Sequence, residues 1–264
     1  MTTRTICHHG GASSGGQRRF SLKATAKVVT LLLPGLMGVG AQAQEALPFK
    51  LTAGLYQLGS AGSDAPAARG LDLNLRHTDA WGDLWLGVYR SPVMALSQTR
   101  AGWDNTFTLG PVRLQPSLQV ASGGFWGGSF GLETGDSWFV GAGLGRTNLR
   151  NYVNLNFDPN DAWMLSGGYR WQDARSLSLQ VVHDNRQNPD QQHVHLVYRT
   201  PMPDSQRLTL DALYKKGTVD GEYIQRIGLS ATYDWPRYFV KVAYDPKVNF
   251  TAQNMWRLQL GTRF

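Results

Sequence analysis

Cysteine is nearly absent from this 264-residue sequence, and the single example, Cys7, lies close to its start. Residues 44–264 therefore hold neither a disulfide nor a cysteine nucleophile. Charged residues are also sparse, at 17% of the chain against roughly 25% in soluble domains. Long apolar runs are missing from residues 44–264, and this excludes a helical membrane protein, because a membrane-spanning helix needs about 20 apolar residues. The composition also fits an ordinary soluble enzyme poorly.

The excess of positive charge is confined to one end of the chain. The sequence holds 26 Lys and Arg against 19 Asp and Glu, but five of these basic residues and none of the acidic ones lie in residues 1–43. The remainder is close to neutral, whereas a nucleic-acid binder needs a sustained basic field. We therefore expect no nucleic-acid partner.

Residues 1–43 are predicted to be a signal peptide. A basic stretch at 18–23 precedes an apolar run at 28–39, and an Ala-Gln-Ala cleavage pattern follows at 41–43. The apolar run is too short to span a bilayer. A structural N-terminal helix is the alternative, and the general secretory route is preferred to the twin-arginine route. Residues 44–264 then form a single exported domain.

Apolar and polar residues alternate through much of residues 44–264. Leucines at 71, 73 and 75 alternate with Asp72, Asn74 and Arg76, and residues 256–264 show the same period. A helix would instead place its apolar residues three and four apart. The pattern predicts strands that each have one apolar face and one polar face.

Two all-β architectures offer such strands, a soluble sandwich and a transmembrane barrel. The segments run for about ten residues, the length of a tilted membrane-spanning strand, and aromatic residues cluster at their ends, as in interfacial girdles. Mostly alternating short and long connectors favour the same class. We predict an antiparallel up-and-down barrel of about 14 strands, with twelve as the alternative because the boundaries around 92–108 and 146–161 are weak. The expected strands are 48–58, 70–78, 83–91, 100–109, 112–121, 124–133, 137–146, 162–172, 176–185, 191–200, 206–215, 222–234, 237–245 and 254–264.

The last nine residues, 256–264, resemble the closing strand of bacterial outer-membrane β-barrel proteins. Members of that class commonly end in Phe after alternating apolar residues; Leu258, Leu260 and Phe264 match, whereas Thr262 departs. The resemblance implies a place in the cell outer membrane, contact with its lipid and lipopolysaccharide, and recognition of Phe264 by the barrel-assembly machinery. The chain is similar to small monomeric porins, which implies a monomer.

Basic residues outnumber acidic ones on the predicted inner face. Such an excess attracts anions, so we predict a channel that passes small anionic solutes by diffusion, similar to the acidic-sugar channels among small porins. The alternative is a lumen closed by ion pairs, in a structural barrel that serves envelope polysaccharide or biofilm machinery. The candidate pore-lining or binding residues are Arg76, Arg113, Arg170, Arg207, Arg226, Lys241, Arg257, Arg146 and Arg150. The wider inner-face set adds Lys50, Lys215 and Arg263, against Asp72, Asp104, Glu133 and Asp211.

The longest connector, 146–161, is rich in Asn and carries two of these candidates. It could fold into the lumen as a constriction or cap the mouth, and a plain strand extension is the alternative. Asp158, Asn160 and Asp161 could offer oxygen ligands to Ca²⁺, but such turns are commoner without metal. No metal and no cofactor is expected.

Three histidines, His183, His193 and His195, flank one predicted hairpin loop. Strand pairing could bring them together near the outer rim, where solvated histidines are expected, although His193 and His195 share a face that could suit a metal. Outer-membrane acyl hydrolases use a His with a Ser two residues away, and that position here is Asn185. A serine nucleophile is therefore missing, no enzyme is expected, and a lipid-active enzyme centred on His183 stays an alternative.

Overall fold

A computed structural model describes residues 47–60, 68–155, 158–219 and 221–264. The predicted signal peptide and Cys7 lie outside the described residues. Two short 3-10 helices, Pro92–Met94 and Val248–Phe250, accompany the strands. Among the described residues, no helix is long and apolar enough to cross a membrane. The strands are β1 Phe49–Ser60, β2 Ala68–Asp79, β3 Gly82–Ser91, β4 Leu96–Asp104, β5 Phe107–Leu109, β6 Val112–Ala121, β7 Phe125–Thr134, β8 Trp138–Thr147, β9 Ala162–Arg170, β10 Ser176–Asp184, β11 Gln192–Met202, β12 Gln206–Val219, β13 Glu222–Asp234, β14 Tyr238–Asp245 and β15 Gln253–Arg263.

The strands form one closed antiparallel barrel of 14 strands, because β1 pairs with β15 and β4 pairs with β6. β4 and β5 are two parts of one barrel strand: Arg100 opposes Ala121 and Phe107 opposes Leu114, so the register continues across the gap. The ladder is interrupted opposite Pro116, which has no backbone N–H to donate. The predicted up-and-down barrel is confirmed with 14 strands rather than 12.

Side chains alternate between a lumen face and an outer face along each strand. In β2, Asp72 is 5% exposed whereas its neighbours Leu71 and Leu73 are 62% and 54% exposed. Leucines presented so openly, on strand after strand, form an apolar outer wall far larger than the patches that soluble proteins tolerate. A closed barrel also leaves no unpaired sheet edge, which is the requirement for strands in a bilayer. The outer wall is therefore built to face lipid.

Two aromatic girdles bound this wall. One lies at the end of the barrel with the tight turns, here the turn end, and the other at the end with the longer connectors, here the loop end. Exposed tryptophans include Trp81 and Trp138 at the turn end and Trp126 and Trp256 at the loop end. Amphipathic rings favour the boundary between lipid and water, so the girdles mark the two edges of the membrane.

The pairing of β1 with β15, which closes the barrel and is here called the seam, extends to Phe264. Phe49 and Phe264 exchange two backbone hydrogen bonds, each with an N–O distance of 3.0 Å. Their rings stack at a centroid distance of 5.6 Å. The terminal Phe is thus part of the turn-end girdle.

Candidate pore and constriction loop

The lumen has a filled half and an open half. At the loop end the inward side chains are buried, for example Gln98, Gln180 and Leu213. At the turn end several inward side chains, such as Thr52 and Thr232, are short and only half-buried, although Glu133 and Phe139 are buried there. The turn-end half of the lumen is therefore less completely filled than the loop-end half, and we call it the vestibule.

Residues 148–155 and 158–161, here called the constriction loop, enter the lumen and contact its far wall. Gln98 on β4 bonds both backbone groups of Val153, with distances of 2.9 Å to the carbonyl and 2.6 Å to the amide. Arg257 on β15 donates from Nη1 to the carbonyl of Leu155 at 2.6 Å. β15 lies seven strands from β8 in either direction around the ring. The loop thus crosses the barrel instead of extending a strand or capping the mouth.

Apolar packing fixes the same loop. Leu155 is buried in a cluster with Tyr56, Tyr89 and Met255 of the wall. Burial of one such side chain stabilises by about 1.5–3 kcal/mol. The loop is consequently held by both hydrogen bonds and hydrophobic contacts.

Asp161 secures the point where the loop rejoins the wall. Its carboxylate accepts from the Thr147 amide at 3.1 Å and the Thr147 hydroxyl at 2.8 Å. Arg186 donates to the same carboxylate at 3.1 Å. Asn160 faces Gln119 instead, at 3.5 Å, so the predicted oxygen cluster does not converge on one calcium position.

Asp158 lies against two histidines of β11. Its Oδ1 is 3.1 Å from His193 Nδ1 and 2.8 Å from His195 Nε2. The other ring nitrogen of His195, Nδ1, lies 3.0 Å from Asp211 Oδ1 on β12. Burial alone would raise the pKa of the Asp158 carboxyl, but the charges and hydrogen bonds of His195 and His193 outweigh it and hold that pKa well below its usual range.

The expectation of solvated mouth histidines is wrong. His193 and His195 are 1% and 5% exposed, because the constriction loop and Phe250 cover them. The expected meeting of three histidines is also wrong, since His183 has the opposite strand parity. It stacks on Trp163 on the outer wall, with ring centroids 4.9 Å apart.

Three of the predicted pore residues line the turn-end vestibule in ion pairs. Arg76 binds Asp83 at 2.6 Å. Arg113 and Arg170 share Glu133, at 2.5 Å and 2.7 Å. Pairing of this kind neutralises part of the basic excess.

Other predicted residues lie at the rims or on the outer wall. Arg207 is near Asp234 at the turn-end rim, at 3.4 Å. Arg226 opposes Lys215 in register but stays exposed. Arg146 alternates with the buried residues of β8, so it lies on the outer wall, where it bonds Asn185 at 2.5 Å. Arg150 is exposed on the constriction loop.

Three inward cations have no carboxylate within 4.0 Å among the described residues, namely Lys50, Arg199 and Lys241. Arg199 was not among the predicted pore residues, although it shares the parity of His193 and His195. Arg199 on β11 is paired with Thr209 on β12, Thr209 is paired with Thr232 on β13, and Thr232 is paired with Lys241 on β14. We call this line of four residues the basic row.

Solved structures share this fold. The outer-membrane protein Omp33 of Acinetobacter baumannii matches with a TM-score of 0.53 at 11% identity, covering 83% of this chain and 98% of that one. The KdgM porin has a TM-score of 0.44 at 13% identity, covering 81% and 99%, and the NanC porin 0.43 at 11%, covering 80% and 100%. No protein-family model and no curated protein matches the sequence.

The architecture and the outer wall together define the class of protein. The likeness to Omp33 shows the fold, and the apolar wall with its two aromatic girdles indicates that the outer surface faces lipid. The chain is a porin-like β-barrel protein of the bacterial outer membrane.

Proposed function

We propose that this protein is a narrow diffusion channel for small anionic solutes. The observation that carries the proposal is the basic row, with Lys50 nearby, facing a vestibule and lacking close carboxylate partners. A solute entering from the turn end meets fixed positive charge that is not already compensated by an ion pair. The filled loop-end half limits which solutes pass.

The basic row concentrates charge along one side of the vestibule. Lys241 lies within electrostatic range of three cations, Arg257, Lys50 and Arg199, and of one carboxylate, Asp211. Between the cations stand two threonines, which add hydroxyl donors and leave space. An excess of fixed positive charge in a pore favours anions and repels cations, and the low-dielectric wall strengthens the field inside.

The constriction loop supports a small size limit. A barrel of eight strands is filled by its own side chains, and one of sixteen leaves an open channel, so 14 strands leave room that the loop partly occupies. The short-turn end of such barrels faces the periplasm and the loop end faces outward. The loop would then act as the outer gate above a basic inner vestibule. We expect the channel to work as a monomer.

Planar-bilayer recording of the purified protein tests the proposal. A salt gradient should give a reversal potential of the sign that means anion preference. The double variant Arg199→Gln with Lys241→Gln should reduce that preference. Arg175→Gln is the matched control, because it removes a cation from an exposed turn-end turn, where Arg175 pairs with Asp173 at 2.7 Å.

Two results would overturn the proposal. Cation preference in the wild type would reject the anionic solute. A complete lack of conductance would reject the channel and favour a structural barrel, which the packed loop-end half would also suit.

A further inference from the structure

We propose that Asp158, His193 and His195 bind a divalent transition-metal ion, best matched by Zn²⁺, which clamps the constriction loop to the barrel wall. One donor comes from the loop and two from β11, so the ion would join two elements that are far apart in sequence. The donor atoms, one carboxylate oxygen and two ring nitrogens, all lie within 4.8 Å of one another.

The donor spacing suits a tetrahedral ion. Zinc bonds to imidazole nitrogen and carboxylate oxygen are about 2.0–2.2 Å long, and a tetrahedral angle then separates two donors by about 3.3–3.5 Å. The carboxylate oxygen of Asp158 is already 3.1 Å and 2.8 Å from the two nitrogens. Lengthening these two separations by about half an ångström would admit the ion, and the two histidine nitrogens lie within 4.8 Å of each other.

Asp211 supports the proposed site by holding the ring nitrogen of His195 that would not bind the ion. Its carboxylate holds His195 Nδ1 at 3.0 Å and 3.2 Å, which fixes the ring and leaves Nε2 facing Asp158. Metal-binding histidines almost always place their other ring nitrogen against a carboxylate, a carbonyl or water. Asp211, His195 and the proposed metal position therefore follow one another, as in metal sites of this kind.

The donor types select the metal. Two imidazoles and one carboxylate suit Zn²⁺ and related transition metals, whereas Ca²⁺ and Mg²⁺ prefer oxygen donors. The three side chains are buried, so their orientations are set by packing before any ion arrives. Three protein ligands leave a fourth position open for a water molecule.

Calorimetric titration of the untagged, folded chain in detergent with ZnCl₂, after treatment with a chelator, tests the site. We expect close to one Zn²⁺ per chain. The variants Asp158→Asn and His193→Gln should each weaken binding at least tenfold, and Asp211→Asn should weaken it by about 10–100-fold. His183→Gln is the matched control, because it removes a histidine of the same hairpin that lies on the outer wall, and it should leave binding unchanged.

Each variant is first checked for heat-modifiable gel migration, so that a misfolded barrel is not read as a lost site. Asp158→Asn is the safest variant, since it lies in the loop and not in a strand. The absence of stoichiometric zinc binding in the wild type would overturn the proposal, as would equal binding by the wild type and by Asp158→Asn. The titration does not depend on conductance, so its failure and that of the proposed channel are separable.

Discussion

The ion pair between Lys215 and Asp245 offers the sharpest test of the packed half of the lumen. Lys215 Nζ lies 2.5 Å from Asp245 Oδ1, and both side chains are fully buried. The same ammonium group donates to the backbone carbonyl of Lys247 at 2.8 Å. Lys215→Met keeps the length and the apolar stem of the side chain but removes the charge and all of its donors.

The expected loss of unfolding free energy in Lys215→Met follows from the Asp245 carboxylate, which stays buried without its partner. Asp245 Oδ2 already has no hydrogen-bond partner among the described residues, so loss of Lys215 strands a buried carboxylate. Removing one partner of a buried ion pair typically costs about 3–5 kcal/mol. This equals roughly a 10²- to 10⁴-fold drop in the folding equilibrium constant. The double variant Lys215→Met with Asp245→Leu removes both charges and should recover most of that loss.

Urea unfolding in detergent micelles, followed by tryptophan fluorescence, measures both free energies. Asp173→Asn provides the matched control, because its ion pair with Arg175 is exposed at the turn end and should contribute about 0–1 kcal/mol. A cost of Lys215→Met no larger than that of Asp173→Asn would contradict this prediction. So would a double variant whose loss of stability equals the sum of the losses of Lys215→Met and Asp245→Leu, because the two buried charges would then not depend on each other.

Three further predictions address the loop, the wall and the seam. Deletion of residues 150–160 should raise single-channel conductance, and unchanged conductance would show that the constriction loop does not limit flow. Gly261→Ala should destabilise by about 1–3 kcal/mol in urea unfolding, because the new Cβ would lie 1.9 Å from the Phe239 ring. Gly167→Ala should cost less than Gly261→Ala, since the nearest atom there is 3.4 Å away. Removal of Phe264 should slow assembly into membranes in cells, seen as less heat-modifiable protein; equal amounts would refute the assembly role.

The wall could be predicted from sequence because its pattern is local. A period of two along a strand fixes which side chains face lipid, so the barrel architecture follows from residues that are neighbours in the chain. The choice between 14 and 12 strands did not, because the boundaries around 92–108 and 146–161 are weak in the sequence. The same period of two explains why Arg146, predicted to line the pore, lies outside, and why Arg199, which was not among the predicted residues, lies inside. Arg146 follows outward Leu144 by two residues, and Arg199 follows inward His195 by four, so parity alone puts the first outside and the second inside.

The path of the constriction loop could not be predicted in this way. Its contacts join Val153 to Gln98 and Leu155 to Arg257, and these partners are distant in sequence and lie on different strands. No local period encodes such contacts, because they depend on which opposite walls a closed ring brings within reach. The burial of His193 and His195 follows from the loop and was missed for the same reason.

The division of the lumen gives the two ends of the barrel different physical tasks. At the turn end, short side chains and cations without close carboxylates leave a solvated, positively charged space. At the loop end, buried charges are paired, as with Arg100 and Asp72 at 2.6 Å and Lys215 and Asp245 at 2.5 Å, because an unmatched buried charge is costly. Charge can therefore select solutes only in the vestibule, and the packed half can act only through its shape. In the proposed channel, passage would then depend on whether the constriction loop yields, and its attachment at Asp158, Asp161 and Leu155 would control transport.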